Sequence, residues 1–240
     1  MSTRAGAISI QRLTKIFGTR SALRQVDLDV EPGNTLVVFG PNGAGKTTLI
    51  KILATIMNPS SGTITFDGLD LKSHPEEIRR RIGIVTHQTF LYQNLTAREN
   101  LEFYGRIYEI PNRKERIEEV VGLVGMTSRL HDRVGTLSRG MQQRISIARA
   151  LLHKPTIMLL DEPETGLDQE AIPLLWRTLP GEGSQRRTVV LTTHNLERGL
   201  ELCDHLAILD KGRIVFRGTH EQFDLASLKD AYHNHTGVAA

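Results

Sequence analysis

The sequence holds a single cysteine, Cys203, so no disulfide can form within the chain, which suits a reducing compartment. No uninterrupted apolar run approaches the roughly 18 to 20 residues that a membrane helix needs. "IKILATIM" carries a lysine, and "IMLL" and "VVL" are strand-sized. The opening residues, "MSTRAGAISIQ", lack the apolar core of a signal peptide. Any excess of one charge sign is small, with 30 Lys and Arg against 27 Asp and Glu. The net charge is +3 and no lysine/arginine block dominates, so nucleic acid is not an expected partner. No cysteine/histidine cluster has zinc spacing, no nucleophile triad is evident, and no repeat or low-complexity tract stands out. What is present is ordinary: 39% hydrophobic and 24% charged residues describe a globular chain. Its 240 residues can bury a sizeable core, as one large domain or one domain with an inserted subdomain. The expectation is a soluble, cytoplasmic α/β protein.

Patterning along the chain is informative. Ile8, Ile10 and Leu13 alternate with polar residues, as does "VDLDV", and both read as half-exposed strands. "TLVVF" (Thr35–Phe39) is instead continuously apolar, the mark of a strand buried on both faces. A glycine-rich turn follows it, then "KTTLIKILATIM" at helical spacing. Asp67-Gly68 between alternating segments signals a hairpin. "RIGIVT" is another short buried strand. Thr96 and Glu99 form a capping box for "ARENLEFYGRIYEI", which Pro111 ends. Two more helices, "RKERIEEVVGLV" and "RGMQQRISIARALL", complete a helical block over about 90–153. Strands resume with "TIMLLDEP", "TVVLTTH" and "HLAILDKG", so the block interrupts a βαβ pattern that implies a mainly parallel sheet. Pro173 conflicts with a helix starting at Asp168, so that helix should begin near Ile172 or kink. The tail after Leu228 is small and polar and reads as loosely ordered.

"GPNGAGKT" (Gly40–Thr47) fits G-x-x-x-x-G-K-[ST] between the buried strand and a helix. Glycines let successive amides turn inward around phosphate oxygens. Lys46 then reaches the β and γ phosphates and the Thr47 hydroxyl ligates magnesium, with the helix dipole aimed at the same anion. "TIMLLDEP" ends a buried strand in Asp161 and Glu162, at the edge where α/β ligands bind. Asp161 would hold magnesium through water, and Glu162 can reach a water beyond the γ-phosphate. His194 ends "TVVLTTH" on the same rim, where its imidazole could donate to that phosphate. Gln88 follows another strand and becomes a candidate magnesium ligand. Each of these residues alone could be an ordinary surface side chain; together they define one site.

A phosphate loop by itself leaves kinases, GTPases and helicases open. The order Lys46, Gln88, "LSRGMQQR", "LLDEP", "GLD" and His194 closely resembles the nucleotide-binding subunits of ATP-binding cassette (ABC) transporters, over about residues 6–220. The resemblance implies a P-loop NTPase core with an antiparallel β subdomain and an inserted α-helical subdomain. Its division would be β subdomain and core 6–88, helical subdomain about 90–153, core 154–220, and a short extension at 221–240. It implies that Gly40, Pro41, Asn42, Gly43, Ala44, Gly45, Lys46, Thr47 and Thr48 bind ATP, and that Phe17 stacks on adenine in place of the usual tyrosine. Asp161, Thr47 and Gln88 would hold magnesium. Glu162 would be the general base, assisted by Lys46, Gln88 and His194. In the family two subunits pair head to tail. Ser138 and Gly140, with Asp168, would then act on the ATP of the other subunit, although Ser138 can also simply cap its own helix. "ETGLD" departs from the commoner serine-first form at Glu164.

The implied partners are a second copy of this or a similar ATPase and membrane permease subunits contacting about residues 88–105, which would place the chain on the inner face of the cell membrane. "LSRGMQQRISIARALLHKP" looks exporter-like, and with the short chain it resembles the ATPase of the heme exporter of cytochrome c maturation. Drug- or lipid-type exporters compete with that reading. A soluble assembly ATPase without a translocator, or a binding module with little hydrolysis, are the other readings. Arg139 stands where the family has the first of two glycines, and Met141 where it has glutamine. Arg139 either points away from nucleotide or brings a charge to the opposing triphosphate.

Overall fold

Residues 5–164, 171–178 and 186–238 are described by a computed structural model. The alternating start of the chain becomes a long antiparallel pair, β1 (Ile8–Phe17) and β2 (Arg20–Val30). Ile8, Ile10 and Leu13 are all buried although their spacing changes from two to three. The register shifts between Ile10 and Leu13, with Arg12 at φ 48 absorbing the extra residue. Then follow β3 (Thr35–Phe39), α1 (Lys46–Leu53), and the hairpin β4 (Ser61–Phe66) and β5 (Leu69–Asp70). Its two turn residues, Asp67 and Gly68, both have positive φ, 49 and 80, as a two-residue hairpin turn requires. After α2 (Pro75–Arg79) and β6 (Ile82–Val85) come α3 (Ala97–Ile107), α4 (Arg113–Leu123) and α5 (Arg139–Leu151). The chain returns through β7 (Ile157–Asp161), α6 (Ala171–Thr178), β8 (Thr188–Thr193), α7 (Leu196–Leu202), β9 (His205–Asp210), β10 (Arg213–Thr219) and α8 (Leu225–Thr236).

Two sheets result. One is four-stranded in the order β2-β1-β4-β5, and the other six-stranded in the order β10-β9-β3-β8-β7-β6. In the second, β9, β3, β8, β7 and β6 run parallel and β10 is antiparallel at the edge. Its central strands are buried on both faces, and alternate residues go to different cores. Val37, Phe39, Met158 and Leu160 join α3, α4, α5, α7 and α8 on one face. Leu36, Val38, Ile157 and Leu159 join α1 and the antiparallel sheet on the other. This explains why "TLVVF" and "IMLL" show no alternation.

Three expectations change. The first helix ends at Leu53 rather than Met57, because Thr55 takes φ 59 and the amides of Ile56 and Met57 turn back to the Lys51 carbonyl. The α3 helix likewise stops at Ile107, ahead of Pro111, with Glu109 at φ 52. The tail is ordered rather than loose. Asp224 caps α8 through the Ser227 amide, and Leu228 and Tyr232, one turn apart, are buried in the core. Pro173 lies within α6, and the residues where the sequence placed the start of this helix, at Asp168, fall outside those described.

Candidate functional site

Chemistry-bearing residues collect at the carboxyl ends of β3, β7 and β8, which pair side by side and parallel. The loop after β3 leads into α1 with Gly45 as its N-cap at φ 114; a Cβ there would lie 2.6 Å from the Ala22 carbonyl, so only glycine fits. The first turn of α1 has no acidic residue and no side-chain cap, leaving its amides available to an anion. Lys46 is buried. Its Nζ donates to the carbonyls of Gly40 (2.6 Å) and Pro41 (3.2 Å) and lies 3.6 Å from Glu162 Oε1.

Asp161 ends β7 with only 2% exposure, and the buried Thr192 hydroxyl of β8 donates to its Oδ1 at 2.6 Å. Glu162 continues the pairing, its amide bonded to the Thr192 carbonyl, but at φ 46. A glutamate in the left-handed region costs roughly 1–2 kcal/mol, a local strain of the kind that clusters at functional sites. His194 Nδ1 lies 3.5 Å from Glu162 Oε1, so one carboxylate stands between a lysine and a histidine.

A cavity of about 850 Å³ opens over the loop. Pro41, Asn42, Gly43, Gly45, Lys46, Thr47, Thr48, Asp161 and Glu162 all line it, and so does Phe17, whose ring carries Lys15 Nζ at 5.0 Å from its centroid. Gly40 sits behind the loop against the Leu209 carbonyl, and Ala44 is buried. His194 lines a neighbouring cavity of about 210 Å³, with Glu162 common to both. Gln88 is exposed, and the wall at that point is His87. Ser138 and Gly140 do not line the large cavity, but Arg139 does. Ser138 Oγ accepts from the Met141 amide at 3.3 Å, so it caps its own helix. Asp168 lies outside the described residues.

Sequence reasoning missed three features. Arg20, Arg24 and Lys211 add positive charge to the cavity wall, and no motif marks them. Gly212 closes the loop's rear through its amide to the Ala44 carbonyl, 2.9 Å. The α5 helix also holds the segment that carries Gln88. Gln143, Ser146 and Arg149, three apart on one helix row, donate to the carbonyls of Thr86, Thr89 and Ile84. Arg149 further stacks on Phe90 and Tyr104, while Tyr104 Oη donates to the Phe90 carbonyl. The "QQRISIAR" spacing was the available signal.

The donor set suits a triphosphate with a hard cation: uncapped amides at the start of α1, a buried ammonium, a hydroxyl and a fixed carboxylate. Known proteins agree. A family model described as ABC transporter matches residues 23–165. The chain is 39% identical over 204 residues to the ABC transporter ATP-binding protein NatA of Bacillus subtilis, spanning 83% of this chain and 82% of that protein. It is 34% identical over 220 residues to the Nod factor export ATP-binding protein I of Cupriavidus metallidurans, 90% of this chain and 73% of that one. With the linearmycin resistance ATP-binding protein LnrL of B. subtilis it shares 34% over 214 residues, covering 88% and 69%. An ATP binding subunit of an ABC transporter superposes with a TM-score of 0.83 at 28% identity, over 97% of this chain and 95% of that one. A dimeric ATP-binding cassette in a post-hydrolysis state, bound to ADP and Pi, gives 0.81 at 27% identity, covering 90% and 100%. The loop, the paired carboxylates and these likenesses lead to one conclusion: the chain belongs to the ATP-binding subunits of the ABC transporter family and is an ABC ATPase.

Proposed function

We propose that this chain hydrolyses ATP to drive export through a membrane permease, working as a head-to-tail dimer. The observation that carries the reading is the convergence of Lys46, Asp161, Glu162 and His194 within one rim of the parallel sheet. An entering γ-phosphate would exchange with the loop carbonyls and Glu162 as partner of Lys46. That exchange frees the Glu162 carboxylate to orient and deprotonate water, while His194 and Lys46 stabilise the developing charge. Thr47 and Asp161 are the residues that would hold magnesium, with Gln88 arriving from the segment gripped by α5. Magnesium would neutralise phosphate charge there. Phe17, exposed and lining the cavity, offers its face to adenine.

Dimerisation is supported by Ser138 and Gly140, which lie off their own chain's cavity wall at the head of α5. A permease contact near 88–105 is supported by exposed apolar surface. Tyr92 packs edge-on against Phe103 at 5.2 Å, and both are exposed together with Ile107. No helix among the described residues is long and apolar enough to cross a membrane. Relatives named for Nod factor export and linearmycin resistance favour a drug- or lipid-type cargo. Heme export, expected from the signature segment, finds no support in those names.

Glu162→Gln is the decisive variant. It should retain ATP and run as a dimer on gel filtration with ATP, while phosphate release falls about 100- to 10,000-fold. A variant that stays monomeric with ATP bound would remove the support for a shared site.

A further inference from the structure

Two carboxylates on the segment leaving β7 face two basic side chains around the start of α7, forming two rungs. The outer rung is Glu162 Oε1 to His194 Nδ1, 3.5 Å. The inner rung is Glu164 Oε1 to Arg198 Nε, also 3.5 Å. The pairing follows from position: Glu162 and Glu164 flank Pro163 in the turn after β7, and His194 and Arg198 lie on either side of Asn195, the N-cap of α7. The inner rung is braced. Trp176 Nε1 on α6 donates to the same Glu164 Oε1 at 2.7 Å, and the Arg198 guanidinium lies over the Trp176 ring, Cζ 5.5 Å from it. Arg198 is itself fixed to α7, its amide bonded to Asn195 Oδ1 at 3.0 Å and its Nη1 to Glu201 at 2.6 Å. All three of Glu164, Trp176 and Arg198 are partly buried, and with Glu162, His194 and Asn195 they line the 210 Å³ cavity between the rungs.

Glu164 does not line the nucleotide cavity, so its charge is not spent on phosphate or metal there. His194, by contrast, has a side chain 68% exposed, and a side chain so open depends on its backbone for its position. That backbone enters α7 through Asn195, whose own amide is bonded to Thr193 Oγ1 and whose side chain caps the helix. The bond from the Glu162 amide to the Thr192 carbonyl fixes the strands two residues before His194, and the setting of α7 against the β7 segment then decides where the His194 side chain lies against Glu162.

We propose that Glu164 is a positioning residue: through Trp176 and Arg198 it locks the start of α7 to the β7 segment and keeps His194 and Glu162 in working register. The inference rests on the hydrolytic reading above. Without the inner rung α7 can shift by a fraction of a helical turn, and small misplacements of reacting groups are expensive. A 1 Å displacement can cost on the order of 100-fold in rate.

The test uses the full chain and its one tryptophan as reporter. Phosphate release against ATP concentration and Trp176 emission are measured for wild type, Glu164→Ala, Glu164→Gln, Arg198→Ala and the double alanine variant. Glu164→Ala should lower kcat about 10-fold with KM changed less than about 2-fold, and shift Trp176 emission to the red. Arg198→Ala should slow turnover similarly. The double variant should be no slower than the slower single one, within about 2-fold, because both remove one link. Glu164→Gln keeps an acceptor for the indole and should recover most of the rate. Turnover of Glu164→Ala within about 2-fold of wild type overturns the proposal, as does a loss confined to KM or a fully additive double variant. Should Glu164→Ala not fold, Arg198→Ala decides by the same criteria. Absence of phosphate release from wild type would instead overturn the hydrolytic reading itself, so the two failures are distinct.

Discussion

Thr192 and Asp161 show how much of the site depends on one buried contact. Both are almost inaccessible, and the Thr192 hydroxyl is bonded to Asp161 Oδ1 at 2.6 Å. A threonine one strand away thus fixes the rotamer of the carboxylate expected to hold magnesium, the role outer partners play for metal ligands. Thr192→Val keeps the shape and deletes the donor. It should lower stability by about 1–3 kcal/mol in urea titrations, since a buried acceptor loses its partner. It should also raise the magnesium concentration for half-maximal phosphate release by about 10-fold, read from a metal titration. Thr192→Ser should restore both. Nothing in "TVVLTTH" singles out Thr192, because a strand-end threonine reads as ordinary β-branched packing. Asp161 and Glu162 were legible because two carboxylates after four apolar residues are unusual. The positive φ of Glu162 was not, since no sequence rule sends a glutamate there.

Elements were legible where their end signals are local. The Thr96/Glu99 capping box of α3 appears with both reciprocal bonds. They were illegible where tertiary contacts decide, as in the early end of α1 and the buried seam of α8. The end of α5 adds a property that sequence could not announce. His153 lies just past Leu151, its ring stacked on Tyr108 at 4.0 Å and its Nε2 2.9 Å from the Ile82 carbonyl. Burial, with smaller contributions from the nearby cations Arg149, Arg116 and Arg187, pushes its pKa down to about 4. The unfolded chain binds that proton near pH 6.5, so between about 6.5 and 4 unfolding takes up a proton and stability falls as pH drops. This contribution is intact above pH 6.5, and about 2 kcal/mol of it is lost by pH 5. His153→Phe preserves the stack and removes the proton. Urea midpoints measured at pH 7.5 and pH 5 should differ less in this variant than in wild type. An unchanged difference would place the pH sensitivity elsewhere.

At the scale of the molecule, the parallel sheet made the site readable. β7 ends in Asp161, β3 runs into the phosphate loop and β8 into His194, and parallel pairing brings those strand ends to one rim. Arg20 and Lys211 reach the same cavity from the hairpin strand β2 and the β9–β10 turn, a convergence that only the folded sheets produce. Arg139 belongs to this second group. Its two sequence readings, away from nucleotide or toward a partner's triphosphate, are joined by a third: it lines the cavity of its own chain while Ser138 caps α5 beside it. An exposed cation at such a wall attracts phosphate weakly and through solvent, worth about 0.2–1 kcal/mol. Arg139→Gly should therefore weaken ATP binding by no more than about 5-fold at low salt, by calorimetry on dilute protein. The difference should vanish near 1 M salt, where the Debye length is about 3 Å. A residue serving the opposing nucleotide behaves otherwise. Its loss would leave dilute ATP affinity untouched and lower only the ATP-driven dimer seen on gel filtration, most clearly in the Glu162→Gln background that cannot turn over. The two variants, compared at two salt concentrations, assign Arg139 to one nucleotide or the other.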